Sequence, residues 1–275
     1  MRVAALQMVS SPDVAVNLEV ARHLIGQAAD AGAELAVLPE YFCLLGLKDT
    51  DKVAIAEQAG RGPLQDFLSR CASDFKLWVV GGTIPLATGT PGEISGKVNN
   101  STLVYNPAGE CVVRYDKIHL FCFDNGLESY DEARVLLPGL QPIAFDLASQ
   151  DGHTYCVGLS ICYDLRFPEL YRQLASSGAD LLLVPSAFTH TTGQAHWEVL
   201  LRARAIENLA YVLAAAQGGL HENQRRTWGH SMVVDPWGHI LAKQDQGPGV
   251  VLADVDKAKL TAHRMQLPAL DHRRL

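Results

Sequence analysis

Two eight-residue stretches, Gly32-Ala33-Glu34-Leu35-Ala36-Val37-Leu38-Pro39 and Gly178-Ala179-Asp180-Leu181-Leu182-Leu183-Val184-Pro185, carry one pattern at a constant offset of 146 positions. Each has a glycine that stops a helix, an acidic residue, an apolar run too short to be a helix, and a proline that breaks the run. A chain that repeats this unit is constrained toward sheets fed by helix-then-strand segments. The sharper reading is a pseudo-twofold arrangement within a single domain covering residues 1–275. Any two such units of an α/β protein look alike to this extent, so the twofold reading stays open at this point. Ligands in such sheets bind beyond the carboxyl ends of the strands, where Glu40 and Ser186 follow the two prolines.

The alternation continues around these units. Residues 2–8 read as a strand, and Ser11-Pro12 as a helix cap followed by proline at the first helical position. Val14, Leu18, Ala21, Ile25 and Ala28 supply the buried stripe of that helix. Gly62-Pro63 opens a second helix through Phe75, and a strand is predicted over 77–84. Asn106-Pro107-Ala108-Gly109, between apolar runs at 101–106 and 111–116, predicts a hairpin that leads into a long polar loop. The second half predicts a strand at 154–161, a helix near 167–177, a strand at 180–185 and a helix near 195–208. Strands are expected near 210–216, 229–235, 238–243 and 249–255.

Composition excludes several classes. With 48% hydrophobic and 19% charged residues the chain can bury a large core, which argues against disorder. Lys and Arg number 23 against 30 Asp and Glu, and no block of five like charges occurs. Arg225-Arg226 and Arg273-Arg274 are too short to form a nucleic-acid or anionic-membrane surface, so neither partner is expected. The longest apolar runs, such as 179–187, are interrupted and far below the roughly 20 residues of a membrane span. The opening MRVAALQMVSSPD reads as a strand instead of a signal peptide, which predicts a cytoplasmic protein. Six cysteines, at 43, 71, 111, 122, 156 and 162, show neither C-x-x-C nor regular spacing, so no disulfide framework and no metal site is expected.

One of those thiols stands apart. In Val157-Gly158-Leu159-Ser160-Ile161-Cys162-Tyr163-Asp164-Leu165-Arg166-Phe167-Pro168-Glu169 an apolar strand ends at Cys162, and Pro168 suits an early position of the next helix. A thiol on that elbow is exposed beside free backbone N–H groups that can hold developing negative charge. The plain alternative is a buried Cys acting as a small hydrophobe, which a random strand-end Cys usually is. A nucleophilic thiol also needs a base. His119, His153, His190 and His196 are available in principle, but no Cys-protease signature surrounds Cys162. Glu40 directly follows a buried strand, where a carboxylate is expensive without a partner or a task. Lys117, in Tyr115-Asp116-Lys117-Ile118-His119-Leu120, is likewise charged among apolar neighbours, although a strand-edge Lys can simply snorkel to solvent.

Taken together, Leu38-Pro39-Glu40, Asp116-Lys117-Ile118-His119-Leu120 and Cys162-Tyr163-Asp164-Leu165-Arg166-Phe167-Pro168-Glu169-Leu170 resemble the carbon–nitrogen hydrolase family, the nitrilase superfamily. The resemblance extends to 195–207 and 229–238 and so spans nearly the whole chain. It implies an α-β-β-α sandwich, a homodimer or higher homo-oligomer, and no cofactor. It also implies hydrolysis of a small-molecule amide through a thioester, with Cys162 as nucleophile, Glu40 as base, and Lys117 with the Tyr163 N–H holding the oxyanion. A second Glu follows the Lys in the family, and the spacing to Pro138-Gly139 points to Glu132, with Glu128 as competitor. The last two stretches look most like the branch acting on deaminated glutathione, with the ω-amidase branch next.

Arg166, four residues beyond the thiol, suits a substrate carboxylate, or equally a pairing with Glu169. Phe188, Thr189 and His196 are placed near the pocket by their position after the strand 180–185, and Trp197 and Arg204 read as structural. The Ala-rich segment 203–210 is a candidate subunit contact or ordinary core. Two rival classes remain at this point: a metal amidohydrolase, for which H-E-x-x-H is missing, and a catalytically silent scaffold.

Overall fold

Residues of the strand Arg2–Gln7 alternate between two buried faces, and this alternation builds the architecture. In the computed structural model, which describes residues 1–88 and 96–274, Val3 and Ala5 join Leu35, Val37 and Val80 in one core. Val157 and Leu159 of a second sheet belong to the same core. Ala4 and Leu6 turn the other way, joining Ala36 and Val79 in a core completed by Leu24, Ile25, Leu68 and Ala72 of two helices. Those helices are Val14–Asp30 and Pro63–Phe75. Beyond the second sheet, Pro168–Ser176 and His190–Asn208 contribute Leu170, Leu174, Trp197 and Leu201. Strands apolar on both faces need cover on both, and the resulting layers run helix, sheet, sheet, helix. This is the expected α-β-β-α sandwich.

The repeated stretch has the same place in each sheet. Leu35–Val37 lies parallel between Arg2–Gln7 and Trp78–Val80, with Leu35 beside Val3 and Trp78. Leu181–Leu183 lies parallel between Thr154–Leu159 and Tyr211–Ala214, with Leu181 beside Val157 and Tyr211. Each parallel triplet is flanked by antiparallel strands: Gly249–Asp254 and Val98–Tyr105 in the first sheet, Ala144–Ala148 and Ser231–Val234 in the second. The echo is therefore topological.

Local chemistry explains where the elements depart from the sequence reading. The first helix is capped by Asp13, not Ser11: its carboxylate accepts from the N–H groups of Ala15 and Val16, and Pro12 stays outside the helix. The helix predicted near 195–208 begins at His190 because Thr189 caps it, accepting from Thr192 N–H. Strand Ala144–Ala148 and helix Lys257–Gln266 were not anticipated; the helix buries only Leu260 and so has no apolar stripe to reveal it. The polar loop holds a two-stranded ribbon, Cys122–Asp124 with Ser129–Asp131. Among the described residues, no helix is long and apolar enough to cross a membrane.

The run 77–84 is not one strand. It breaks at Gly81-Gly82 into Trp78–Val80 and Ile84–Ala87. Gly82 has φ 49°, and a Cβ there would stand 2.1 Å from the Pro39 carbonyl oxygen. The break lets that backbone pass directly behind the turn that presents Glu40. Gly82→Ala is expected to destabilise the fold by about 3 kcal/mol through overpacking and φ strain, read as a lower denaturation midpoint in urea. A midpoint equal to wild type would show that Pro39 yields freely.

Candidate active site

Three backbone turns bring the ionisable groups together. Glu40 leaves the carboxyl end of Leu35–Val37, Cys162 follows Thr154–Leu159, and Lys117 directly follows Cys111–Asp116. Tyr41, with φ 57°, is fixed by the bond from its N–H to Thr83 Oγ1 at 2.9 Å. Cys162 is itself left-handed at φ 47°, and its N–H donates to the Pro185 carbonyl at 3.0 Å. Such a conformation is costly for a side chain bearing Cβ and persists only where its surroundings hold it. Here Asp164 does much of the holding. Its carboxylate is fully buried and accepts from Tyr115 Oη at 2.6 Å and from Ile161 N–H at 2.9 Å.

The Lys117 ammonium is buried between two carboxylates. It donates to Glu40 Oε1 at 2.9 Å and to both Glu132 oxygens at 2.9 and 2.8 Å. Glu40 also accepts from Asn100 Nδ2 and the Ala187 N–H, each at 2.9 Å. Burial opposes the charge on Lys117, but the carboxylates of Glu132 and Glu40 outweigh it and hold the ammonium well above its ordinary range. Burial likewise works against the Glu132 anion, and Lys117 overcomes it, leaving that carboxyl below its usual value. The Cys162 thiol moves the other way. Burial and then the Glu40 charge push it well above the ordinary thiol range, against the opposing pull of Lys117. The thiol is thereby held toward its protonated form beside the Glu40 carboxylate.

A cavity of ≈ 330 Å³ opens on this cluster. Glu40, Glu132 and Cys162 lie in its wall, as do the expected Tyr163, Phe188 and Thr189. The Tyr163 N–H falls in the first turn of the short helix Cys162–Arg166, ahead of the first intrahelical bond from Asp164 N–H to the Ile161 carbonyl. It is thus a donor without a helical acceptor. Arg166 and His196 are placed elsewhere: the guanidinium lies 3.2 Å from His196 Nδ1 and over the rings of Tyr163 and Phe188, outside the cavity lining. No pairing of Arg166 with Glu169 occurs among the described residues. Glu128 is half-buried and accepts from Thr191 Oγ1 at 3.2 Å, so the loop brings Glu132 rather than Glu128 to Lys117.

Among the histidines weighed as bases, His119 is tied to Asp164 at 2.7 Å and stacked on Phe167. Ser186, the counterpart of Glu40 in the repeat, donates to the Val184 carbonyl instead of entering the cavity. Trp197 is fully buried and Arg204 binds the Leu165 carbonyl. Among the described residues no group of three or more potential ligands could hold a metal. Sequence reasoning missed Tyr41, which donates to Glu132 at 2.8 Å, as well as Asn100 and Arg225. Tyr41 adjoins Glu40 and so had a positional signal; Asn100 and Arg225 arrive from distant segments and had none.

Fold and site together define an α-β-β-α protein with a thiol and two carboxylates in the wall of one cavity and a buried ammonium linking the carboxylates. The chain belongs to the carbon-nitrogen hydrolase family, whose model matches residues 2–265. Across 272 residues it is 43% identical to the deaminated glutathione amidase of Synechocystis sp. (strain PCC 6803 / GT-S), covering 98% of this chain and 97% of that relative. It is 38% identical over 276 residues to omega-amidase NIT2-B of Xenopus laevis, covering 99% and 95%. Saccharomyces cerevisiae Nit3, a member of branch 10 of the nitrilase superfamily, superposes with a TM-score of 0.86 at 31% identity, covering 100% of this chain and 97% of that structure.

Proposed function

We propose that this protein is a cysteine-dependent amidase that hydrolyses deaminated glutathione to α-ketoglutarate and Cys-Gly. The observation that carries this reading is the buried cluster in which Lys117 bridges Glu40 and Glu132 beside the Cys162 thiol. Glu40 takes the thiol proton as sulfur attacks the amide carbon, and the C–O π pair moves onto oxygen. Lys117 and the Tyr163 N–H hold that oxyanion, an effect worth about 3–4 kcal/mol per donor. Collapse breaks the C–N bond, Glu40 returns the proton to the departing amine, and a thioester remains. Glu40 then deprotonates water as it attacks the thioester carbon, the C–S bond breaks, and Glu40 returns that proton to the departing Cys162 sulfur, releasing the acid and restoring the thiol. Glu132 keeps Lys117 charged and positions the substrate. No step needs a metal or an organic cofactor.

A homo-oligomer in the cytoplasm completes the reading. Val199, Ile206, Trp237 and Leu241 are exposed apolar residues, and Ile206 packs at Gly238 next to Trp237. Ile206 and Trp237, exposed on either side of that contact, are better covered than wet. Six free cysteines, two of them exposed, suit a reducing compartment.

The test is hydrolysis of deaminated glutathione and α-ketoglutaramate side by side, with Cys162→Ala as blank. A kcat/KM at least about 10-fold higher for deaminated glutathione, lost in the variant, is expected if the pocket discriminates by more than ~1.4 kcal/mol. Preference for α-ketoglutaramate would instead assign an ω-amidase, and turnover that survives without Cys162 would remove the mechanism.

A further inference from the structure

The cavity at Cys162 shares part of its wall with a second cavity of ≈ 290 Å³: Tyr41, Phe121, Glu132 and Arg225 line both. Beyond that wall the second cavity is lined by Lys52, Asp49, Tyr130 and Asp131. The two aspartates are engaged, Asp49 with Lys52 at 3.9 Å and Asp131 with Arg134 at 3.4 Å. Lys52 also lies over the Tyr41 ring at 4.6 Å. Arg225 is different. Its guanidinium rests on the Tyr130 ring at 4.9 Å, and among the described residues it forms no ion pair.

That cation is held in place from behind. His221 N–H donates to the Arg225 carbonyl at 2.9 Å, and the His221 ring bridges the Ser10 carbonyl and Thr227 Oγ1, each at 2.8 Å. Asn223 Nδ2 donates to the Gly46 carbonyl at 2.6 Å, while its Oδ1 accepts the Arg225 N–H. Gln224, just before Arg225, sits at φ 66°, a strained conformation for a residue with Cβ. A half-buried guanidinium on a fixed loop, with no ion pair among the described residues and in the wall of two joined cavities, is preorganised for an anion brought by a ligand.

We propose that Arg225 is the specificity-determining residue for the leaving group, binding the terminal carboxylate of a dipeptide amine in the second cavity. This rests on the amidase reading above. An amine that takes its proton from Glu40 departs past Tyr41, the next residue in the chain and part of the shared wall. Ammonia would leave the second cavity unused; a dipeptide extends into it and brings its carboxylate to that guanidinium, with the Lys52 charge alongside. The carboxylate of the acyl group lies on the other side of the scissile bond and is not the group assigned to Arg225.

The deciding experiment compares α-ketoglutaryl-Cys-Gly with the same compound ending in a carboxamide, using wild type, Arg225→Met and Arg225→Lys. Wild type is expected to prefer the acid by about 30-fold in kcat/KM, the scale of one charge-assisted pair. In Arg225→Met that preference falls to near one, mainly through KM, and Arg225→Lys keeps an intermediate preference because it retains charge without the planar fork. An undiminished preference in Arg225→Met overturns the assignment, as does an equal loss on both compounds, which would place the side chain at the acyl group or in the scaffold. Wild type that hydrolyses neither compound overturns the amidase reading itself, and the assignment falls with it. In the first two failures wild type is active, so the cases are distinct.

Discussion

Glu40→Gln is expected to lower kcat by about 1,000-fold, the scale of a lost general acid–base, and at the same time to make the Cys162 thiol easier to ionise. These effects run in opposite directions because Glu40 has two influences on the sulfur. Its negative charge, after burial, is among the causes that hold the thiol well above its ordinary 9.0, while Lys117 pulls the other way. Glutamine keeps the shape and removes the charge, so the pH midpoint for alkylation of Cys162 by iodoacetamide moves down. Turnover still collapses, since an amide oxygen neither accepts the thiol proton in the transition state nor returns it to the amine. Glutamine also cannot serve as acceptor at both ends. Lys117 and Asn100 donate to one Glu40 oxygen and the Ala187 N–H to the other, so one donor set faces an NH₂ group. Leaving a buried donor unsatisfied adds a stability loss of about 1–3 kcal/mol. An alkylation midpoint that rises or stays fixed would falsify the electrostatic account of this thiol, whatever happens to kcat.

How much of this was readable beforehand depends on the range of the interactions involved. The two apolar octets marked equivalent strands because helix stop, buried run and proline break are local signals, and both strands take the same place between parallel neighbours. Glu40, Lys117 and Cys162 stood out singly, each being an ionisable residue where an apolar strand ends. Their meeting rests on contacts across 77 positions between Lys117 and Glu40 and 147 between Ala187 and Glu40, which no local pattern encodes. The family resemblance supplied the grouping. Helix Lys257–Gln266 escaped notice because it buries a single residue, and the true cap Asp13 was hidden behind Ser11-Pro12, a stronger-looking start signal. Arg225 looked like half of a short basic pair. Its significance comes from a pinned loop and from the lack of an acidic partner among the described residues, both tertiary facts.

Lys117→Met is expected to have the largest combined effect, eliminating measurable turnover and destabilising the fold by about 3–5 kcal/mol, the scale for removing one member of a buried ion cluster. Methionine fills much of the same volume but leaves the carboxylates of Glu40 and Glu132 facing each other without the ammonium between them. In wild type, Glu132 lies below its ordinary 4.5, so its share of stability is present above that pH and is lost as pH falls through the depressed value. Lys117 lies above its ordinary 10.5, so its share is present below that pH and is lost as pH rises through the elevated value. The shares of Glu132 and Lys117 are therefore both present above 4.5 and below 10.5. Without the cation, burial and like charge raise a carboxylate above its unfolded value, and protonation becomes stabilising. The variant should thus gain stability on going from about pH 7 to pH 5, where the wild-type contribution is flat. Urea denaturation of both proteins at the two pH values measures this, and the added change Glu132→Gln should recover part of the loss by removing one stranded charge. A variant whose stability falls on acidification would mean that water, not the opposing carboxylate, takes the place of the ammonium.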